Sequence, residues 1–115
     1  MPSTEATALV AEPRPGYQGD MARPEVRNAV ERSRYELVVD GAVVGIADYV
    51  VEGDARIVLP HTEIEAARRG QGLGDVLVGG VLDDARSRGL TVVPVCWFVA
   101  EFIDRNPEYA DLLAA

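Results

Sequence analysis

The 115-residue sequence contains no lysine: all eleven basic residues are arginine. A nucleotide-triphosphate loop of the form G-x-x-x-x-G-K-[ST] therefore has no place in it, and no lysine side chain is offered for modification. Cysteine occurs once, at Cys96, so no internal disulfide can form, and the expected compartment is reducing cytoplasm. Histidine also occurs once, at His61. No apolar run approaches the about eighteen residues that a membrane span requires, and the composition, 48% hydrophobic and 26% charged, is that of a soluble globular chain. Acids outnumber bases by 19 to 11, for a formal charge of -8. That excess argues against unspecific binding to nucleic acid or to an anionic membrane, and favours a neutral or cationic partner.

The opening segment, MPSTEATALVAEPRPGYQGDMARPE, is rich in proline and lacks both the charged start and the long apolar middle of a secretion signal. It reads as a flexible arm over residues 1–27, followed by one domain over 28–115. SRYELVVDGAVVGIADYVVEGDARIVLPHTEI then reads as a meander of three antiparallel strands. Asp40-Gly41 supplies a tight hairpin turn, and Glu52-Gly53-Asp54 marks the second reversal. Tyr35, Leu37 and Val39 alternate with more polar neighbours, while Val43, Val44, Ile46, Val50 and Val51 suggest a central strand covered on both faces.

From Leu73 the period changes. Val76, Leu77, Val81, Leu82 and Ala85 recur at helical spacing, with Arg86 and Arg88 in the last turn and Gly89 just beyond. Gly79 and Gly80 inside this helix each cost about 1 kcal/mol relative to alanine, so close packing should compensate. Asp84 and Arg88, four apart, read as a solvated surface pair. LTVVPVCWFV is the next strand, and Pro94 requires it to be free of a neighbour on one side from about that point. Val99, Phe102 and Ile103 form an apolar helical stripe, and Asn106-Pro107-Glu108 reads as a further helix start.

Between the strand Arg56 to Ile64 and the helix lies ARRGQGLG. A helix start carries unpartnered amides and about half a positive charge, and glycines admit a phosphate close to such a backbone. Arg68 or Arg69 could add a charge-assisted contact. The dinucleotide fingerprint G-x-G-x-x-G fails here, because its last position falls on Asp75 or Leu77. Arg69, Gly72 and Gly74 instead fit R-x-x-G-x-G. This resembles the coenzyme A loop, [QR]-x-x-G-x-[GA], of the GCN5-related N-acetyltransferases. HTEI, RRGQGLG, VVPVCWFV and FIDRNPEYADL, in that order over roughly residues 30–115, together resemble the small, minimal group of that superfamily with a cysteine on its fifth strand. Ala66 departs from the proline of many members, and almost nothing lies between the first two strands of the meander, where larger relatives carry helices that wall the acceptor site.

The resemblance implies an α/β (α+β) fold: a mixed sheet made of an antiparallel meander and then a βαβ unit with splayed parallel strands, helices packed on the sheet. It implies that acetyl coenzyme A is the co-substrate, without a metal, held by Ile64, Arg69, Gly70, Gln71, Gly72, Leu73 and Gly74. The pantetheine arm would lie in the strand gap, with the thioester near residues 61–64 and 94–97. For transfer to an amine, His61 suits a general base, though a histidine can equally cap a strand or bond a carbonyl. Glu63 shares its face as the alternative base or the group orienting the ring. A backbone amide near Ile64 is the candidate oxyanion donor. Cys96 could accept the acetyl group, assist proton transfer or fill the core. Tyr109 resembles the tyrosine that protonates the departing thiolate, or else is packed, and Trp97 and Phe98 fall to core or pocket lining. The acceptor expected is an amine, including a basic peptide or protein, for a monomer or weak homodimer with no nucleic-acid or membrane partner. The competing reading is a coenzyme-binding module without turnover that signals to a protein partner. Edge strands used as a dimer interface are a third.

Overall fold

The computed structural model describes residues 8–10 and 23–113. Strands β1 (Ala8–Val10), β2 (Glu25–Ala29), β3 (Arg34–Val39), β4 (Ala42–Glu52), β5 (Arg56–Ile64) and β6 (Thr91–Val93) form one sheet in sequence order. Every neighbouring pair is antiparallel except β5 and β6. A parallel pair needs a long crossover, and helix α1 (Leu73–Ser87) supplies it. Helix α2 (Trp97–Arg105) and a 3-10 turn over Pro107–Leu112 complete the described chain. This is the expected α/β architecture. Asp40 and Gly41, with φ of 52° and 78°, make the hairpin between β3 and β4, as a turn with two left-handed positions requires.

The segment expected as an arm contributes β1 and, after Arg23 and Pro24, the start of β2; residues 1–7 and 11–22 lie outside the described ones. Val26 of β2 is fully buried, and a Cβ placed on Gly80 would sit 2.7 Å from its Cγ2. The helix glycine is thus half of a contact that lets α1 settle onto β2. Between β2 and β3 runs only a 3-10 turn, Val30–Arg32.

Four expectations change. First, β4 is central in the meander, but Val43, Val50 and Val51 are exposed, so it is not covered on both faces along its length. Second, the strand expected over LTVVPVCWFV stops at Val93, and Trp97 already begins α2. Pro94 withdraws a donor, and the chain pulls away from β5 with Val95 N–H turning back onto Val93 O (3.0 Å). Third, Asn106 does not cap the turn that follows it; its side-chain amide donates to Phe102 O (2.8 Å) and closes the end of α2 instead.

Fourth, Asp84 and Arg88 are more than a solvated pair. The hydroxyl of Tyr35, a fully buried side chain, donates to Asp84 Oδ2, and Arg88 Nη1 donates to the same hydroxyl oxygen at 3.2 Å. Burial first, then the bond and charge of Asp84, push the Tyr35 phenol far above its ordinary range. A phenol whose folded pKa is raised stabilises the fold in full below its unfolded value and loses that contribution as pH climbs past it. Folding stability should therefore fall above about pH 10 by up to about 1.4 kcal/mol per pH unit for this group. Tyr35→Phe should flatten that alkaline limb while lowering stability at neutral pH by about 1 kcal/mol. Urea melts of both proteins between neutral and strongly alkaline pH give the comparison, and parallel alkaline limbs would refute it.

Candidate active site

β5 is where the sheet changes hands. Its pairing with β4 runs Glu52–Arg56, Val51–Ile57 and Val50–Val58, then resumes at Asp48–His61, so three residues of β5 span two of β4. The extra residue is a bulge beside Pro60, a residue that cannot donate to a ladder. Before it, Ile57 and Leu59 face the core. Beyond it the alternation is out of phase: Thr62 pairs with buried Ala47 and faces the helices, and Ile64 packs against the core. His61 and Glu63 turn to the opposite face, exposed, with Nε2 of the one 3.3 Å from Oε1 of the other.

On its other side β5 pairs with β6 only from Arg56 to Val58. One further bond, Cys96 N–H to Leu59 O at 2.9 Å, ties the chain back after Pro94, and from there a gap opens. Glu65 N–H donates to Val44 O (2.8 Å), which makes Gly45 and Ile64 a pair without bonds to each other. The amide of Ile64, and two residues earlier that of Thr62, therefore points away from β4 into the gap. Ile64 O, turned the same way, accepts Arg69 Nε at 3.1 Å. Arg69 thereby pins the loop to the strand that precedes it.

The loop ends in two left-handed glycines, Gly70 (φ 83°) and Gly72 (φ 79°), and Gly72 caps α1. A glycine cap has no side chain to satisfy the helix amides. The first helical bond is Val76 N–H to Gly72 O, so the amides of Leu73, Gly74 and Asp75 have no backbone partner among the described residues. Asp75 sets a carboxylate at this positive end, but Arg105 neutralises it with contacts of 3.2 and 3.5 Å. Gly74 serves packing: a Cβ there would sit 2.8 Å from Cζ of Phe98. The Phe98 ring in turn meets Trp97 edge-on at 5.8 Å, and Trp97 is 72% exposed.

These elements enclose a cleft of about 960 Å³ lined by Pro60–Ile64 of β5, Arg68–Gly70 and Gly72 of the loop, Leu73–Asp75 and Leu77 of α1, and Val95–Phe98. Cys96 lines it as the residue before α2, not on the strand. Its Sγ lies 3.4 Å from Thr62 Oγ1. Burial resists ionisation of the thiol, but the Thr62 hydroxyl and the amides of Val99, Phe98 and Thr62 outweigh it and hold the thiol below its ordinary range. The sulfur sits where a helix start favours negative charge.

Of the residues expected to act, His61, Glu63, Ile64, Arg69, Gly70, Gly72, Leu73, Gly74 and Cys96 meet in this cleft. Gln71 lies in the loop without forming part of the wall. Tyr109 does not reach the cleft: it is buried, its ring 5.8 Å from Phe102 and its hydroxyl donating to Asp83 at 2.8 Å. Thr62 escaped the sequence reading because the bulge that aims it at Cys96 leaves no mark beyond Pro60.

A family model described as GCN5-related N-acetyl-transferase matches residues 34–112. Among curated proteins, Protein NATD1 from Bos taurus is 32% identical over 59 residues, 51% of this chain and 52% of that protein. The match thus spans about half the length of that curated relative.

Proposed function

Because the chain belongs to the GCN5-related N-acetyltransferase family, we propose that it moves an acetyl group from acetyl coenzyme A to an amine, and that the cleft beside β5 is where it does so. The observation that carries this reading is the run of three amides at the uncapped mouth of α1, opening onto the same gap as Cys96 and the Ile64 amide. The diphosphate of the coenzyme would take the Leu73–Asp75 amides, and its pantetheine arm would follow the gap between β5 and the segment after Pro94.

With the thioester there, the carbonyl oxygen meets the Ile64 amide, a donor already aimed at it before reaction. The Cys96 thiolate attacks the carbonyl carbon, the tetrahedral intermediate collapses, and coenzyme A leaves as its thiolate. The acceptor amine then attacks the S-acetyl group, gives its proton to His61, and releases the Cys96 thiolate. Glu63, with Oε1 3.3 Å from His61 Nε2, orients the imidazole. His61 and Glu63 occupy the sheet face away from the helices, with Asp48 opposite His61 across the ladder. That face and the net charge of -8 suit a cationic acceptor. Only the single 3-10 turn Val30–Arg32 lies between β2 and β3, with no α-helix there, which leaves room for a peptide or protein side chain.

Thermal melting tests the coenzyme site. Acetyl coenzyme A at about a hundred times its Kd should raise Tm on the order of 10 °C. Adenosine phosphates lacking pantetheine should give a much smaller rise. Equal shifts would remove the strand gap from the site, and no shift with either ligand would remove the proposal.

A further inference from the structure

We propose that Thr62 is the positioning residue for Cys96: its hydroxyl, 3.4 Å from Sγ, holds the sulfur toward the gap and supplies the hydrogen bond that the thiolate needs. The catalytic consequence rests on the acyl-transfer reading above; the contact itself does not. Both partners are fixed by one strand. Cys96 N–H is tied to Leu59 O at 2.9 Å, and Thr62, three residues further along, is set by its pairing with Ala47 in the core. The bulge between Leu59 and His61 is what brings hydroxyl and sulfur to the same face.

The hydroxyl can donate or accept, so it tolerates the thiol. Once the sulfur has lost its proton, which leaves to solvent through the open cleft, the hydroxyl turns to donate, and a bond to the charged form favours that form. The first turn of α2 contributes in the same direction from the other side. The ionisable groups that share this cleft are His61 and Glu63 on β5, Arg68 and Arg69 in the loop and Asp75 on α1. The first two are paired with each other across the opposite face, Arg68 lies 3.8 Å from Glu65, Arg69 holds Ile64 O, and Asp75 holds Arg105. Among the described residues Thr62 is the one side chain hydrogen-bonded to the sulfur.

Cys96 is the sole cysteine of the chain, so alkylation by iodoacetamide, followed by intact mass across pH, reads this one sulfur. Thr62→Val should alkylate about tenfold more slowly near neutral pH and reach the parent rate at alkaline pH, where both are thiolates. Thr62→Ser should restore the parent profile to within about twofold. A Thr62→Val profile that superimposes on the parent would overturn the inference, as would a uniform slowing at every pH. Should valine fail to fold, Thr62→Ala provides the same comparison. Coenzyme is absent from this assay, so a missing thermal shift with acetyl coenzyme A would sink the acyl-transfer reading and leave this result interpretable by itself.

Discussion

Gly72→Asp is expected to lower affinity for acetyl coenzyme A by about a hundredfold or more while leaving the fold as stable as before, to within about 1 kcal/mol. The two effects separate because one group does two things. Gly72 sits at φ 79°, a conformation that Asp tolerates better than any residue but Gly and Asn. Its carboxylate would stand beside the free amides of Leu73, Gly74 and Asp75, where a negative charge is favourable for the helix. That same charge would occupy the position of the diphosphate and repel it, and Arg105 is already engaged with Asp75. Gly72→Ala is the control. It carries the left-handed strain without the charge, so it should cost stability on the order of 1 kcal/mol and weaken binding by less than tenfold. Isothermal titration with acetyl coenzyme A, alongside urea melts, measures both quantities. If Asp and Ala weaken binding equally, loop shape and not the helix mouth governs recognition.

What the sequence made legible about this site is what local chemistry dictates. Asp40-Gly41 and Gly53 mark reversals because few residues enter the left-handed region, and the helix after Gly72 shows in the spacing of Val76, Leu77, Val81 and Leu82. The hidden features are those that depend on partners distant in the chain. Val26 and Ala29 alone give EVRNA too little alternation to be read as a strand; its evidence lies at Gly80, fifty-four residues on, where the helix makes room for Val26. The bulge at Pro60 inverts the faces of β5 without disturbing its β-rich composition. LTVVPVCWFV has strand composition throughout, yet Val99, Phe102 and Ile103 are all buried, and that helical stripe draws α2 back to Trp97. Cys96 thereby passes from a strand position to a helix start, and its chemistry changes with it.

Cys96→Ala should reduce acetyl transfer on the order of 10³-fold or more, with coenzyme affinity changed by less than about threefold. The sulfur makes no part of the helix mouth that would hold the diphosphate, so binding and turnover should come apart. Cys96→Ser is the sharper variant, because it preserves size and the partnership with Thr62 while replacing a thiol held below its ordinary range by a hydroxyl that stays protonated; it should be nearly as slow as alanine. The parent should gain the mass of one acetyl group when mixed with acetyl coenzyme A in the absence of acceptor, and neither variant should. The pH profile supplies an independent check: since the Cys96 thiol is held below its ordinary range, the acid limb of turnover should fall at lower pH than an unperturbed cysteine would give, and Thr62→Val should move it upward. Retention of activity in Cys96→Ala within about tenfold of the parent would instead assign the chemistry to direct attack by the amine, with His61 as base and the sulfur reduced to shaping the gap.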